Sequence, residues 1–388
     1  MPYSAKAKRR KRIRLQSIIV LASITLFVGL VGLLSYFSIR NSSLNVSAST
    51  IQSVVRTNTT ANTTYIYCVG DSGHGNQNLT FFAPLTSGGI GQWHNTTGYP
   101  VGVDDVGCDI YHKYIYCTGT NATFLENESY YAPISGSGIG NWTRTTSYPF
   151  RVSYQSCSAY RGYMYCVGDW WYYEQNATEY ASISDSGIGQ WRNSTPYPIP
   201  FYWGSCAISN GYIYCVGGAE VKHAIGATDY DVDIVIQNRT SSLTFFANVS
   251  SDGIGQWKPT TPFPTEFTLD GCSIYDSYIY CLGGNAYNEN QTYFAPVSGN
   301  GIGKWTQTTN APFALIQGGC DIHDGYIYCV GSRDNTSSGH QSWYARVSSS
   351  GISNWTETTP FPIPVYGDSY CEIPGSGGGW TGGGGPQD

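Results

Sequence analysis

Ten residues, Cys206-Ala-Ile-Ser-Asn-Gly-Tyr-Ile-Tyr-Cys215, constrain the fold of this chain more than any other stretch. Asn210-Gly211 suits a type I′ turn, which needs positive φ at both central residues. A two-residue turn there sets Ser209 opposite Tyr212 and Cys206 opposite Cys215, on a non-hydrogen-bonded pair. Cα atoms in such a pair lie roughly 4.5 Å apart, near enough for a disulfide across the ladder. The unit is a stapled hairpin, and it recurs along the chain.

Its second strand, Tyr-x-Tyr-Cys or a close variant, ends at cysteines 68, 117, 166, 215, 281 and 329. Tryptophans in the context Gly-Ile-Gly/Ser-x-Trp fall at 93, 142, 191, 257, 305 and 355. Both series give six units of about 49 residues, the fourth lengthened by roughly 17. Residues 272–310 show four strand-like segments in one unit: Cys272–Tyr275, Tyr278–Cys281, Thr292–Val297 and a last one through Ile302 and Trp305. That period with four strands per unit predicts an all-β fold, a six-bladed β-propeller of four-stranded blades. Turns at Arg161-Gly162, Asn210-Gly211 and Asp324-Gly325 suit type I′; His112-Lys113 and Asp276-Ser277 do not.

The cysteines then pair themselves. Cys108–Cys117, Cys157–Cys166, Cys206–Cys215, Cys272–Cys281 and Cys320–Cys329 are each nine residues apart. Cys68 ends a second strand with no first strand before it, and Cys371 sits in a first strand with no second strand after it. Each supplies what the other lacks, so the C-terminal strand is expected to complete the N-terminal blade and a sixth disulfide to close the ring. An even, regularly spaced set of 12 cysteines points to an oxidising compartment.

The N-terminus supplies a route to that compartment. Residues 1–14 carry seven basic side chains and no acid, and residues 15–39 carry no charge at all. A 25-residue helix reaches about 37 Å, enough to cross a hydrocarbon core of about 30 Å. The basic cluster keeps the N-terminus cytoplasmic and sends the remainder out, as a single-pass signal anchor of the plasma membrane. The organisation read from sequence is a basic tail (1–14), a transmembrane anchor (15–39), a Ser/Thr/Asn-rich stalk (40–63), the propeller (64–373) and a Gly-rich flexible tail (374–388). Apart from the basic tail, 13 basic residues face 26 acidic ones, a net charge of −13 that argues against nucleic acid as a partner. Asn-x-Ser/Thr sequons fall at 41, 45, 58, 62, 78, 95, 121, 127, 141, 176, 193, 238, 248, 290, 335 and 354. On an exported segment they predict a glycoprotein. Asn141 and Asn354 directly precede repeat tryptophans, which predicts that those two are buried and unmodified.

A Tyr-containing strand, glycines after it and a Trp late in the repeat resemble the kelch-type propeller of the galactose-oxidase central-domain kind, over about residues 64–373. The resemblance implies binding or scaffolding in most cases and enzymes in a few, and it carries over no site residue. A copper-radical oxidase would need a free cysteine for its Tyr cross-link, and full pairing leaves none.

Residues that repeat in every blade read as scaffold, so function is sought in what differs between blades. Strand 2–3 loops and inter-blade crossovers bring Asp104, Asp105, Trp170, Trp171, Tyr172, Tyr173, Tyr202 and Trp203 forward as candidate ligand-binding residues. Rings stack on sugar faces and carboxylates bind hydroxyls; plain packing of Tyr-rich crossovers is the competing reading. In the fourth-blade insertion Asp229, Asp231 and Asp233 share one face of an extended strand and could together hold calcium; an amphipathic strand explains the pattern equally well. No other cofactor is expected. No Ser-His-Asp signature, phosphate loop or zinc motif occurs, and the six histidines show no ligand spacing. Two functions are expected to compete: an anchored surface module that binds a glycan or an envelope protein, and an exported glycoside-processing enzyme using carboxylates.

Overall fold

The computed structural model describes residues 63–70, 78–102, 104–120, 127–152, 154–169, 176–223, 235–267, 271–283, 290–313, 319–331, 339–364, 369–375 and 378–379. The chain divides into two units, Met1–Asn62 and Thr63–Asp388, and all described residues belong to the second. Among them no helix is long and apolar enough to cross a membrane; residues 15–39 lie outside.

Six antiparallel blades form. In the third, Ser156–Tyr160 pairs with Tyr163–Val167, which pairs with Thr178–Ser184. The fourth strand is not continuous. It comes as two short pieces, Gly187–Ile188 and Arg192–Asn193, both paired to the third strand. The same split occurs in every blade, for example at Gly301–Ile302 and Thr306–Gln307. The repeat tryptophan lies between the two pieces, so it leaves the ladder and turns toward the preceding blade.

Each hairpin has the register its cysteines predict. Cys206 faces Cys215 and Ser209 faces Tyr212, with the cysteine Cα atoms 4.1 Å apart. Asn210 and Gly211 take φ of 51° and 78°. Asp276-Ser277 also takes positive φ at both positions (47° and 63°), so it makes this turn without a glycine. All twelve cysteines are paired as expected. The inner strands, Asp104–Tyr111, Ser156–Tyr160, Ser205–Ser209, Gly271–Tyr275, Gly319–His323 and Ser369–Glu372, each lie beside the next, and the last lies beside the first. The ring is closed. Ser369–Glu372 completes the N-terminal blade, with Cys371 opposite Cys68.

The repeated residues are the joints between blades. Every repeat Trp donates its indole N–H to a Thr carbonyl of the preceding blade, from Trp142 to Thr97 (3.0 Å) round to Trp93 to Thr359 (3.3 Å). The same Trp meets a crossover aromatic edge-on: Tyr99–Trp142, Tyr148–Trp191 and Tyr197–Trp257 at 4.8 Å, and Phe361–Trp93 at 4.9 Å across the closure. The Ile after the first Gly of each Gly-Ile exchanges two hydrogen bonds with a Thr or Ser hydroxyl of the preceding blade, as Ile139 does with Thr96 (2.7 and 2.9 Å). That first Gly is required. Gly138 has φ +106°, and a Cβ there would lie 2.3 Å from the Thr96 hydroxyl oxygen. The second Tyr of Tyr-x-Tyr reaches a Ser carbonyl in the next blade, as Tyr214 does to Ser298 (2.9 Å). The apolar cores accordingly sit between blades: Tyr67, Val69 and Phe82 pack with Ile110, Ile115, Ala132 and Ile134 of the next.

Candidate functional site

A propeller's variable residues lie at the ends of its blades, and here the strand 2–3 loops and the crossovers share one end. Trp170, Trp171, Tyr172 and Tyr173 lie outside the described residues, as do Asp229, Asp231 and Asp233. Among the described residues no group of three or more His, Cys, Asp or Glu is arranged to hold a metal. Asp104 opens the inner strand of blade 2 opposite Thr120, and the register shifts between Asp104 and Gly107. Asp104 thus stays paired, and Asp105 falls within the irregularity.

Tyr202 and Trp203 are described in full. Tyr202 is completely buried, bridges to Ala219 at the base of the insertion, and accepts the Ala219 N–H at 2.9 Å. Burial pushes its phenol above the ordinary value. Trp203 is half-buried over it, ring centroids 4.7 Å apart, and meets Tyr154 edge-on at 5.0 Å. Trp203 and Tyr154 occupy equivalent crossover positions, three residues before an inner cysteine, and both have left-handed backbone, φ 56° and 58°. Such a conformation costs a bulky residue about 1–3 kcal/mol and collects at functional sites. Glycine is required beneath: a Cβ on Gly168 would lie 1.8 Å from the Phe201 carbonyl oxygen. The insertion itself rises as Ala219–His223 paired with Val235–Thr240. The geometry is a half-exposed aromatic pair between blades 3 and 4 beside the base of the insertion hairpin. Tyr154 is the member that sequence reasoning missed; its signal was its position, equivalent to that of Trp203.

A second group escaped the sequence reading altogether. Asp109, Asp321 and Glu372 each follow the inner cysteine of their blade, and blades 2, 6 and 1 are neighbours. All three are at most 2% exposed. Asp109 accepts the N–H of Ile110 and, across the blade boundary, that of Ala159. Asp321 does the same with Ile322 (2.7 Å) and Ile373 (2.9 Å). These two carboxylates therefore tie inner strands together, as Ser156 does to the Cys206 N–H (3.0 Å). Glu372 makes no hydrogen bond to a described residue; burial first, then Asp109 and Asp321, hold its carboxyl well above the usual range. Burial raises Asp109 too, against its two backbone hydrogen bonds and with a contribution from Asp321.

The sequons separate into two kinds. Asn78, Asn127, Asn176 and Asn290 recur at the start of the third strand, where they belong to the scaffold. Asn127 donates to the Tyr148 carbonyl (2.6 Å), and His340 makes the equivalent contact to Phe361 in blade 6. The Thr of that sequon is buried, as at Thr178, which bonds the Thr195 carbonyl (2.7 Å). Asn95, Asn193 and Asn248 are exposed. So are Asn141 and Asn354, contrary to the expected burial. Because the fourth strand breaks at the Trp, the indole turns inward and the preceding Asn turns out.

No protein-family model matches this chain, and no curated protein matches its sequence. Among 293 matching chains of solved structures, one titled "Structure of YjhT" superposes with a TM-score of 0.51 at 14% identity. The match covers 70% of this chain and 88% of that one. Likeness at that identity supports the propeller fold and says nothing of ligand or reaction.

Proposed function

We propose that this protein is a membrane-anchored, glycosylated surface propeller of kelch type that binds a glycan or an envelope protein through the end carrying Tyr154, Trp203 and the blade-4 insertion. The observation that carries this reading is the division of labour among residues. The recurring Trp, Thr/Ser and Gly, and the second Tyr of Tyr-x-Tyr in five of the blades, are spent on blade-to-blade contacts. The strained aromatic pair is not repeated round the ring among the described residues. Aromatic faces at a half-exposed surface suit sugar rings and extended polypeptide alike. Six disulfides and the uncharged stretch 15–39 behind a basic cluster support an extracellular propeller with a cytoplasmic N-terminus. The exposed sequons Asn95, Asn141, Asn193, Asn248 and Asn354 are the acceptors this reading favours.

The enzyme reading has one observation in its favour. Three carboxyl groups converge near the ring's axis, and Asp109 and Glu372 have the raised affinity for protons that a general acid needs. Against it, Asp109 and Asp321 are engaged in joining strands, and all three are buried. Glycan-array binding by the detergent-solubilised chain separates the two. Binding without turnover, weakened at least tenfold by Trp203→Ala, supports the module. Glycoside hydrolysis that is lost in Asp104→Asn or Asp105→Asn and untouched by Trp203→Ala overturns it.

A further inference from the structure

Each inner strand pairs with the second strand of its own blade and ends its sheet there, so its other edge is turned to the axis. An unpaired edge is a row of N–H and C=O groups, a template for another strand. In blade 5 that template is taken. Gly378–Gly379 pairs antiparallel with Gly271–Tyr275, Gly379 opposite Cys272 and Gly378 opposite Ser273. The same two glycines lie against the inner strands of blades 3, 4 and 6, which puts them inside the ring. The chain gets there by turning at Pro374-Gly375, where Gly375 has φ +77°, directly after the strand that closes the ring. Within the stretch 374–388, Gly378–Gly379 is thus a strand of the propeller.

Glycine suits this position. Side chains on a strand added to blade 5 would project alternately to both faces of its sheet, straight at the inner strands of blades 4 and 6. The position after the inner cysteine is small and uncharged in blades 3, 4 and 5 (Ser158, Ala207, Ser273), and the glycines lie against all three of those strands. We infer that the axis of the ring is a strand-binding site for an extended glycine-rich peptide, occupied in cis by Gly378–Gly379 and open to the same segment offered in trans. Main-chain hydrogen bonds supply the affinity, and the nearness of the neighbouring inner strands supplies the selectivity. The site is separate from the aromatic pair and stands whether or not that pair binds a ligand.

The test uses the full chain in detergent. Gly378→Val with Gly379→Val expels the segment at constant chain length. Truncation after Gly375 removes it while keeping Cys371 and Ile373. The probe is a dye-labelled synthetic peptide with the sequence of residues 375–388, followed by fluorescence anisotropy. Saturable binding to both variants is expected, at least tenfold weaker to the unmodified chain, and lost when the peptide carries the two valines. Equal binding to all three proteins overturns the inference. So does no binding to variants that keep all six disulfides. Hydrogen exchange of the unmodified chain needs no variant. Slow amides at 378–379 against fast exchange at the exposed Gly375 are expected, and equal rates at both places contradict the site.

Discussion

Replacing Cys68 and Cys371 together by serine is expected to lower the melting temperature well beyond the same double replacement at Cys206 and Cys215. The two bridges are alike locally. Both join facing residues of an antiparallel pair, both have Cα atoms 4.1 Å apart, and all four cysteines are at most 1% exposed. Burying two serine hydroxyls in place of two sulfurs therefore costs each variant a comparable amount. What differs is the loop each closes, 9 residues of separation against 303. On the chain-entropy account the short loop contributes about 2.7 kcal/mol and the long one about 5.7, the second an upper figure because the other bridges shorten the effective chain. The closure retains other contacts when the bridge is gone: strand pairing of Tyr67 with Glu372, the Trp93 indole on Thr359, and Ile90 on Thr358. The variant should thus still fold at low temperature and open first at the seam between blades 1 and 6. Melting followed by circular dichroism compares the pair. Equal losses, or a larger loss at Cys206 and Cys215, would count against closure as the main constraint.

Stability should also rise on acidification over a range where many proteins lose it. Burial lifts the carboxyls of Asp109 and Glu372 above their unfolded values, which lie at about 4. Between the unfolded and the folded value the native state holds protons that the unfolded chain has released. Stability therefore falls as pH climbs through that window and is complete only below it. One group opposes the trend: burial lowers the His323 imidazole below its ordinary value, so its share of the stability is lost as pH falls below about 6.5. Among the described residues one ion pair is present, Arg144 with Glu128 at 2.7 Å, and Arg144 is 60% exposed, so it contributes little. The melting temperature is expected to rise as pH is lowered from 8 to 5. Glu372→Gln should flatten that slope and raise the melting temperature at pH 8, since Glu372 makes no hydrogen bond to a described residue for the amide to break. Asp109→Asn should flatten the slope as well but at a cost, because an amide nitrogen cannot accept the Ala159 N–H. A slope of opposite sign, unchanged in Glu372→Gln, would show that these carboxyls do not govern the pH response.

The architecture was legible because its determinants are periodic and local. A hairpin of Cys-x8-Cys admits one register, and Cys68 and Cys371 could only complete each other. The fourth strand was legible as an element but not in its break. That break follows from contacts Trp makes to another blade, which periodicity along one strand cannot express. The same blindness inverted the reading of Asn141 and Asn354. Asp276-Ser277 was underrated as a turn, because the register its cysteines impose outweighs the weak turn preference of its residues. The buried carboxyls went unnoticed since blades 1, 2 and 6 each show a single acid after a cysteine; their meeting depends on ring closure. The glycine tail looked like a linker by composition, and only the free edge of blade 5 gives it a partner. Of the candidate site, Trp203 was found by its residue type and Tyr154 was not, since it touches Trp203 only through the neighbouring crossover.

Disulfide mapping tests the closed ring most directly. The full chain is taken from membranes, its free thiols are alkylated at once, and it is digested without reduction and analysed by mass spectrometry. The account predicts no alkylated cysteine, five linked pairs nine residues apart, and the peptide of Cys68 joined to the peptide of Cys371. Free thiols at those twelve positions, or Cys68 joined to any cysteine but Cys371, would contradict it.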